Sequence, residues 1–290
     1  MDFEELKKYF VLGDIPGAIE YMDRFEELKE EAEAYRDLFA NEHYLHYDVP
    51  EPLNEILLIY QQYFRNVFYC RMKKPEAASL LLSGLRQQLG IVSEDESDVE
   101  NVLKEIFESF GYNILTGDTQ GYYGPYVWKT TEPTFFDVEL PEGTARYRVN
   151  ILRGFVMRSW MDYLTFGQYG TEGWIDKDGV INCIEKAYDF DSEKFRTSLL
   201  RHEAQHAEDL KRWPDMPAAE LEYRAKLVEL IYTQTPGLLD KFISEAGDSD
   251  PDDSHAMANA RISKEMKTLA GGQVKAIQNR ARELFEQCTH

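Results

Sequence analysis

The chain is poor in the residues that mark secreted or membrane-bound proteins. It has three cysteines in 290 residues, Cys70, Cys183 and Cys288. An odd number at wide spacing argues against a disulfide framework and favours reduced thiols in a cytoplasm. No stretch approaches the roughly 18 apolar residues of a membrane span. The first residues lack the basic and apolar regions of a secretory signal. We therefore expect a cytoplasmic protein without a membrane segment.

Positive charge is also scarce. The chain has 32 lysines and arginines against 53 aspartates and glutamates, which gives a net charge of −21 at pH 7. Such a field repels nucleic acids and anionic membranes, so we expect neither as a partner. The same field could favour basic substrates, although an acidic, solvated surface is the plainer explanation. The oligomeric state cannot be predicted from the sequence.

Histidine is rare, yet two of the six histidines share one short motif. Arg201-His202-Glu203-Ala204-Gln205-His206-Ala207 contains the pattern His-Glu-x-x-His. Histidines four apart on a helix project from the same face, so both imidazoles can reach one metal ion. Glu203 lies about 100° round the helix, where it can act as a base on metal-activated water. The motif predicts a zinc-dependent hydrolase; the alternative is a helix with two ordinary histidines.

The flanking sequence places this motif on the first of two consecutive helices. Asp191 and Ser192 are both good N-cap residues. A stripe at helical spacing leads from apolar residues to the histidines: Phe195, Leu199, His202 and His206. Trp213-Pro214 ends this helix, because the residue before a proline is pushed out of the α region. Pro217 suits the first turn of a second helix, which continues from Ala218 to Tyr232.

A third metal ligand is expected on the second helix. The short connection implies an antiparallel helical hairpin. At a rise of about 1.5 Å per residue, Glu222 returns to nearly the level of His206. Glu220 is the second choice, nearer the turn and on nearly the opposite face, and Glu229 is the third. All three glutamates could instead be solvated helix charges.

Here the chain resembles a known family. His-Glu-x-x-His followed by a glutamate on the next helix is similar to the gluzincin-type zinc metallopeptidases. Glu222-Tyr223-Arg224-Ala225 also resembles the Glu-Tyr-x-Ala-Asp ligand helix of membrane-bound heat-shock and prenyl-protein-processing peptidases, in which the first glutamate binds zinc. Two departures are that Lys226 replaces the aspartate and that the histidine-to-glutamate spacing is far shorter. The resemblance covers about residues 192–235. It implies a zincin-like fold and a Zn²⁺ ion held by His202, His206 and Glu222.

Two further residues are candidates for roles around the metal. Ser254 could cap a C-terminal helix and place His255 in its first turn, where the helix dipole favours a neutral imidazole. Such an imidazole can donate a hydrogen bond to a developing oxyanion, and gluzincins often use a downstream histidine or tyrosine in this way. His255 could equally be a plain surface residue. Asp209, one turn past His206, could fix an imidazole tautomer or could be a surface acid.

The remaining pattern predicts a mainly helical α+β protein. Residues 1–95 are expected to form a helical N-terminal region that ends in the acidic stretch 93–98, and residues 96–290 a zincin-like domain. The aromatic and apolar residues Tyr147, Val149 and Ile151 alternate with polar residues, and this pattern predicts a half-buried strand. Two short apolar runs, 173–175 and 180–184, predict a hairpin. In zincin-like folds a small sheet precedes the metal helix and its edge strand pairs with an extended peptide, so by resemblance the Gly173 region is expected in the cleft wall.

A glycine- and tyrosine-rich segment, residues 117–126, could be a loop that contacts substrate or a structural turn.

Taken together, the sequence predicts a zinc metallopeptidase that uses Glu203 as general base, with a peptide or protein as its partner. One alternative is a zinc hydrolase of a non-peptide amide. Another is a catalytically silent interaction protein that keeps a zincin fold.

Overall fold

The computed structural model describes residues 3–176, 179–246 and 253–288. Within these residues helices predominate over three small sheets, so the fold is mainly helical α+β, as the sequence predicts. Among the described helices, none is long and apolar enough to cross a membrane. The chain divides into two compact units, Met1–Thr130 with Arg153–Thr171, and Thr131–Leu152 with Glu172–His290.

The two units do not divide at residue 95. The acidic stretch leads into helix α6 (Glu96–Ser109), whose N-cap Asp95 accepts a hydrogen bond from the Ser97 amide. Residues 96–130 then stay within the first unit. The chain also returns to this unit after residue 152, because strand β7 (Met157–Arg158) pairs with strand β4 (Tyr126–Trp128).

The first unit is built from helices around an aromatic core. Its other helices are α1 (Phe3–Leu12), α2 (Ile15–Met22), α3 (Lys29–Tyr35), α4 (Glu51–Phe64), α5 (Lys74–Leu89) and α7 (Ser159–Leu164). Strand β1 (Asn113–Leu115) pairs with β4, and β2 (Asp118–Thr119) pairs with β3 (Tyr122–Tyr123), both antiparallel. The hairpin β2–β3 is the glycine- and tyrosine-rich segment. The Tyr122 ring lies 4.8 Å from that of Phe68 and 5.1 Å from that of Trp160, so this tyrosine contributes to packing.

The second unit contains a four-stranded mixed sheet. Its strands are β5 (Thr130–Leu140), β6 (Gly143–Arg153), β8 (Gly173–Ile175) and β9 (Ile181–Ile184), in the order β5-β6-β9-β8. The alternation in β6 is confirmed, since Tyr147, Val149 and Ile151 are buried and Arg148 is exposed. Strands β8 and β9 form the expected antiparallel pair. Lys177 and Asp178, in the turn between them, lie outside the described residues.

Five helices of the described chain follow or flank this sheet: α8 (His202–Arg212), α9 (Ala218–Tyr232), α10 (Gly237–Ser244), α11 (Ser254–Met266) and α12 (Val274–Gln287). A π-helical segment, Lys194–Arg201, runs directly into α8. Ser192 caps it, because its Oγ accepts a hydrogen bond from the Phe195 amide. Helix α9 packs against α8, α11 and α12, and nine consecutive residues from Tyr223 to Ile231 are buried. This central helix is therefore enclosed on all sides over that length.

Edge strand β8 lies against the segment that leads into α8. A Cβ atom on Gly173 would lie 2.7 Å from Leu199 Cδ1 and 2.8 Å from the Asn182 carbonyl oxygen. Only glycine therefore allows this strand to approach Leu199 so closely. As a result, an edge strand stands next to the helix that carries His202.

A buried ion pair joins α8 to α9. Arg224 and Asp209 are both 0% exposed, and Arg224 Nε donates to Asp209 Oδ2 at 2.8 Å. Gln205 Nε2 donates to the other carboxylate oxygen at 2.8 Å. The Arg224 guanidinium also lies over the rings of Trp213 and Phe285. Since a buried charge without a partner is costly, this pair fixes the two helices against each other.

We expect Asp209→Ala to lower the free energy of unfolding by about 3 kcal/mol, because it leaves the Arg224 guanidinium buried without a counter-charge. The double variant Asp209→Leu/Arg224→Met removes both charges and should be more stable than Asp209→Ala. Urea unfolding followed by circular dichroism measures both. A loss below about 1 kcal/mol in Asp209→Ala would contradict the assignment of the pair as a structural link.

Candidate metal centre

Three side chains converge between α8 and α9. His202 Nε2 lies 3.0 Å from His206 Nε2 and 3.4 Å from Glu222 Oε2. His206 Nε2 lies 3.3 Å from Glu222 Oε1. In the part of the chain that the structure describes, this is the one group of three or more histidine, cysteine or carboxylate side chains positioned to share a metal ion. The two histidines are buried and the glutamate nearly so.

Helix geometry explains how these residues meet. The two histidines lie four residues apart on α8 and therefore face the same side. Helix α8 ends at Arg212 and α9 begins at Ala218, so a five-residue connection turns the chain back on itself. Glu222 returns to the level of His206, as the rise per residue predicts. The sequence-based choice of Glu222 over Glu220 thus agrees with the geometry, because Glu220 instead pairs with Arg261 at 2.7 Å.

The nitrogen and oxygen atoms of the three side chains are close to the spacing that zinc requires. Zinc binds imidazole nitrogen and carboxylate oxygen at about 2.0–2.2 Å in tetrahedral geometry, which places neighbouring ligand atoms about 3.3–3.6 Å apart. The two histidine-to-carboxylate separations, 3.4 and 3.3 Å, fall in this range but reach different oxygens of Glu222, and the two Nε2 atoms are closer, at 3.0 Å. Glu222 Oε2 is buried, and His255 Nδ1 lies 2.9 Å from it. The three side chains therefore fit a tetrahedral ion after a small separation of the two imidazoles.

The electrostatics of the cluster call for a positive charge. His202 Nδ1 lies 2.7 Å from Glu229 Oε1, and a carboxylate can only accept, so Nδ1 carries the proton. In a neutral imidazole, Nε2 would then present a lone pair towards Glu222. Burial lowers the pKa of His202, but the contacts with Glu222 and Glu229 outweigh it and raise that pKa to about 10. A proton or a metal ion must balance these acceptors.

The pKa of Glu222 is shifted in the opposite direction, downwards. Burial alone would raise the pKa of its carboxyl group, but the imidazoles of His202, His206 and His255 hold that pKa well below its usual range. Glu222 is therefore an anion at neutral pH. An anionic carboxylate beside two imidazole nitrogens is a donor set that suits zinc.

Glu229 has a role that the sequence did not predict. It was the third choice as a metal ligand, yet it is 4% exposed and contacts the far nitrogen of His202. Its spacing could have indicated this, since Glu229 follows Glu222 by seven residues and so lies on the same face of α9. A carboxylate on the second nitrogen of a ligating histidine fixes its tautomer and orientation.

The prediction that Asp209 would fix an imidazole tautomer is wrong. Both of its carboxylate oxygens accept hydrogen bonds from other partners, Gln205 and Arg224. His206 Nδ1 is buried and has no hydrogen-bond partner among the described residues. Lys226, which replaces the aspartate of the similar peptidases, is buried with its ammonium 4.3 Å from the centre of the Phe242 ring. The acid that contacts Nδ1 of His202 is Glu229, three residues after Lys226.

The two candidate catalytic residues border the cluster. Glu203 is half-buried on α8, and within the described residues its carboxylate makes no hydrogen bond. His255 lies in the first turn of α11, whose N-cap is Asp253, which accepts from the Ala256 amide, and not Ser254. His255 Nδ1 lies 2.9 Å from Glu222 Oε2, and the side chain is 61% exposed. His255 thus touches Glu222 from the solvent side and stays outside the group of three.

Comparison of the chain with protein-family models, with curated proteins and with solved structures gives no match. The similarity to gluzincins therefore rests on the local motif and on Glu222.

We expect Glu229→Gln to weaken zinc binding by roughly 10- to 100-fold, because the amide can still accept from His202 but no longer carries the charge that strengthens the ligand. Competition with a chromogenic chelator measures the affinity. Glu220→Gln is the matched control, since Glu220 is paired with Arg261, and it should change affinity by less than about threefold. An equal loss in the two variants would show that Glu229 has no specific link to the metal.

The raised pKa of His202 predicts how the metal-free protein depends on pH. The pKa rises from 6.5 to about 10 on folding, so its contribution to stability is full below pH 6.5 and is lost as pH rises towards 10. Thermal unfolding of chelator-treated protein between these two limits should show the decline. The stability of His202→Gln, which lacks the titrating group, should decline less over this pH range. Bound zinc replaces the proton and should flatten the wild-type profile.

Proposed function

We propose that this protein is a zinc-dependent metallopeptidase. The observation that carries the proposal is the convergence of His202, His206 and Glu222, whose facing nitrogen and oxygen atoms lie 3.0–3.4 Å apart, close to the spacing of ligands around a zinc ion. Glu203 occupies the adjoining face of α8, about 100° round the helix from His202. Three ligands, an open fourth position and a nearby carboxylate are the components of a catalytic zinc site rather than a structural one.

The chain supplies the acid–base chemistry. A zinc ion at this site would act as a Lewis acid that polarises the scissile carbonyl and lowers the pKa of water to about 7. Glu203 takes the proton from the attacking water and delivers it to the leaving amine. Its carboxylate is suited to this task, because it is half-buried and makes no hydrogen bond with the described residues. His202 is held for ligation by Glu229.

His255 acts on the substrate side of the site. Its Nδ1 donates to the Glu222 carboxylate, so Nε2 can donate to the oxyanion that develops on the substrate carbonyl only when the ring carries both protons.

Edge strand β8 favours a peptide as substrate. It is the terminal strand of its sheet and packs against Leu199, three residues before His202. The outer backbone groups of such a strand can pair with an extended peptide and hold it in line.

Metal content and hydrolysis test the proposal together. We expect wild type and Glu203→Gln to hold one zinc ion per chain by elemental analysis, and Glu222→Ala to lose it. Glu203→Gln should cut kcat/KM on cleaved peptides by roughly 10²- to 10⁴-fold with zinc retained, because the amide cannot accept the proton. Glu220→Ala is the control, with metal content and rate close to wild type.

Three outcomes would count against the proposal. If wild type binds no zinc after reconstitution, the metal site is absent. If Glu220→Ala is the variant that loses zinc, the third ligand is wrong. If zinc is retained but the wild type cleaves no member of a diverse peptide library, the protein binds zinc without acting as a peptidase.

A further inference from the structure

The first unit contains a cavity of about 320 Å³. Its ten lining residues come from the hairpin β2–β3, from β4, from the junction of β7 with α7, and from the segment that follows α7. All of them belong to the first unit. The volume is at the lower end of the range for ligand pockets, which suits a small molecule with a single ring. The glycine- and tyrosine-rich segment contributes Thr119, Gln120 and Tyr126 to the cavity wall, so this segment does more than form a turn.

The cavity wall carries no unpaired charge. Arg158 is the one charged residue among the ten. Its Nε donates to Asp162 Oδ1 at 2.8 Å and its Nη2 lies 2.5 Å from the same oxygen, so the guanidinium is already neutralised. Nη2 also donates to the Gly167 carbonyl oxygen at 3.0 Å. Because a charged ligand is costly to bury without an opposite charge, this wall favours a neutral one.

Hydroxyl and carboxamide groups supply much of the polar part of the wall. The hydroxyl oxygens of Tyr126 and Thr171 lie 2.8 Å apart and share a hydrogen bond. The Gln120 side chain is exposed, and a carboxamide offers two donor hydrogens and an acceptor oxygen. Tyr169 is 45% exposed and adds an aromatic ring. Neutral donors and acceptors beside a ring suit a molecule with hydroxyl groups round its edge and an apolar C–H face.

Two residues of the wall have left-handed backbone conformations. Gln120 has a φ of +56° and Ser159 a φ of +62°. Gln120 is the first of two residues in the turn between β2 and β3, a position that favours asparagine, aspartate or glycine. Ser159 is 2% exposed, and its hydroxyl has no hydrogen-bond partner among the described residues. Both features cost free energy, and residues of this kind cluster at ligand sites.

We propose that this cavity binds a neutral monosaccharide. The C–H face of the sugar packs on the Tyr169 ring, and its hydroxyl groups exchange hydrogen bonds with the Gln120 carboxamide and with the hydroxyls of Tyr126 and Thr171. The inference does not depend on the proposed peptidase function, because it uses no residue of the metal centre. A ligand of this size should bind with a dissociation constant on the order of 1 mM.

Saturation-transfer NMR titrations of the full chain with D-glucose, D-galactose, D-mannose and N-acetyl-D-glucosamine test the proposal. At least one of these sugars should bind wild type at millimolar concentration. Gln120→Asn shortens the carboxamide but suits the turn, so affinity should fall about fivefold while the thermal stability stays the same or rises. Tyr169→Ala removes the ring and should weaken binding about tenfold.

Phe110→Ala is the matched control, since Phe110 is an exposed aromatic residue of the first unit outside the cavity wall, and it should bind like wild type. If none of the four sugars binds at about 50 mM, the proposal is refuted. Equal affinity in wild type, Gln120→Asn and Tyr169→Ala would also refute it, because the sugar would then bind elsewhere.

Glucose 6-phosphate tests whether the ligand is neutral. Lys74 Nζ donates to the Gln120 carbonyl oxygen at 3.2 Å, and Lys7 Nζ lies 5.6 Å from the centre of the Tyr169 ring, so two ammonium groups stand beside the cavity. We expect glucose 6-phosphate to bind no more tightly than glucose. If it binds tighter by about tenfold or more, the cavity selects an anion and the assignment of a neutral ligand is wrong.

Discussion

The structure of the second unit depends on one electrostatic constraint: a buried carboxylate and two imidazole nitrogens face one another between α8 and α9. Glu222, His202 and His206 all present acceptor atoms to the same small space. In a buried setting this arrangement is repulsive unless a positive charge lies between the atoms. A proton on His202 can supply that charge, and so can a metal ion. A metal ion would compete with this proton, so metal affinity at this site would depend on pH.

The helices that carry these atoms are fixed on both sides of the cluster. Towards the turn between them, Asp209 and Arg224 form a fully buried ion pair. Towards the opposite end, Glu193 accepts hydrogen bonds from Thr233 Oγ1 at 2.8 Å and from the Gln234 amide at 2.7 Å. The site therefore lies between two polar links that limit how far the helices can separate. These links hold the three side chains of the cluster close together.

Three acids of this region each face a cation or an imidazole. Asp209 pairs with Arg224, and Glu229 with His202. Glu222 faces three imidazoles, those of His202 at 3.4 Å, His206 at 3.3 Å and His255 at 2.9 Å. Glu222 is therefore the acid shared by both histidines of α8, which is the position expected of a third ligand.

The sequence by itself determined the local features of this protein. The spacing of His202 and His206, the helix end at Trp213-Pro214 and the alternation in β6 follow from helix and strand periodicity, so they were predictable from neighbouring residues. Glu222 was predictable too, because a short turn and a fixed rise per residue set its level along the helix axis.

Only the tertiary structure decided which acidic side chain pairs with which basic group. Glu229 and Asp209 are both plausible partners for a histidine by spacing, but the buried Arg224 pairs with Asp209, and Glu229 contacts Nδ1 of His202. The division into two units was likewise decided by the pairing of β4 with β7. Such choices depend on competition between residues distant in sequence, and local periodicity carries no information about that competition.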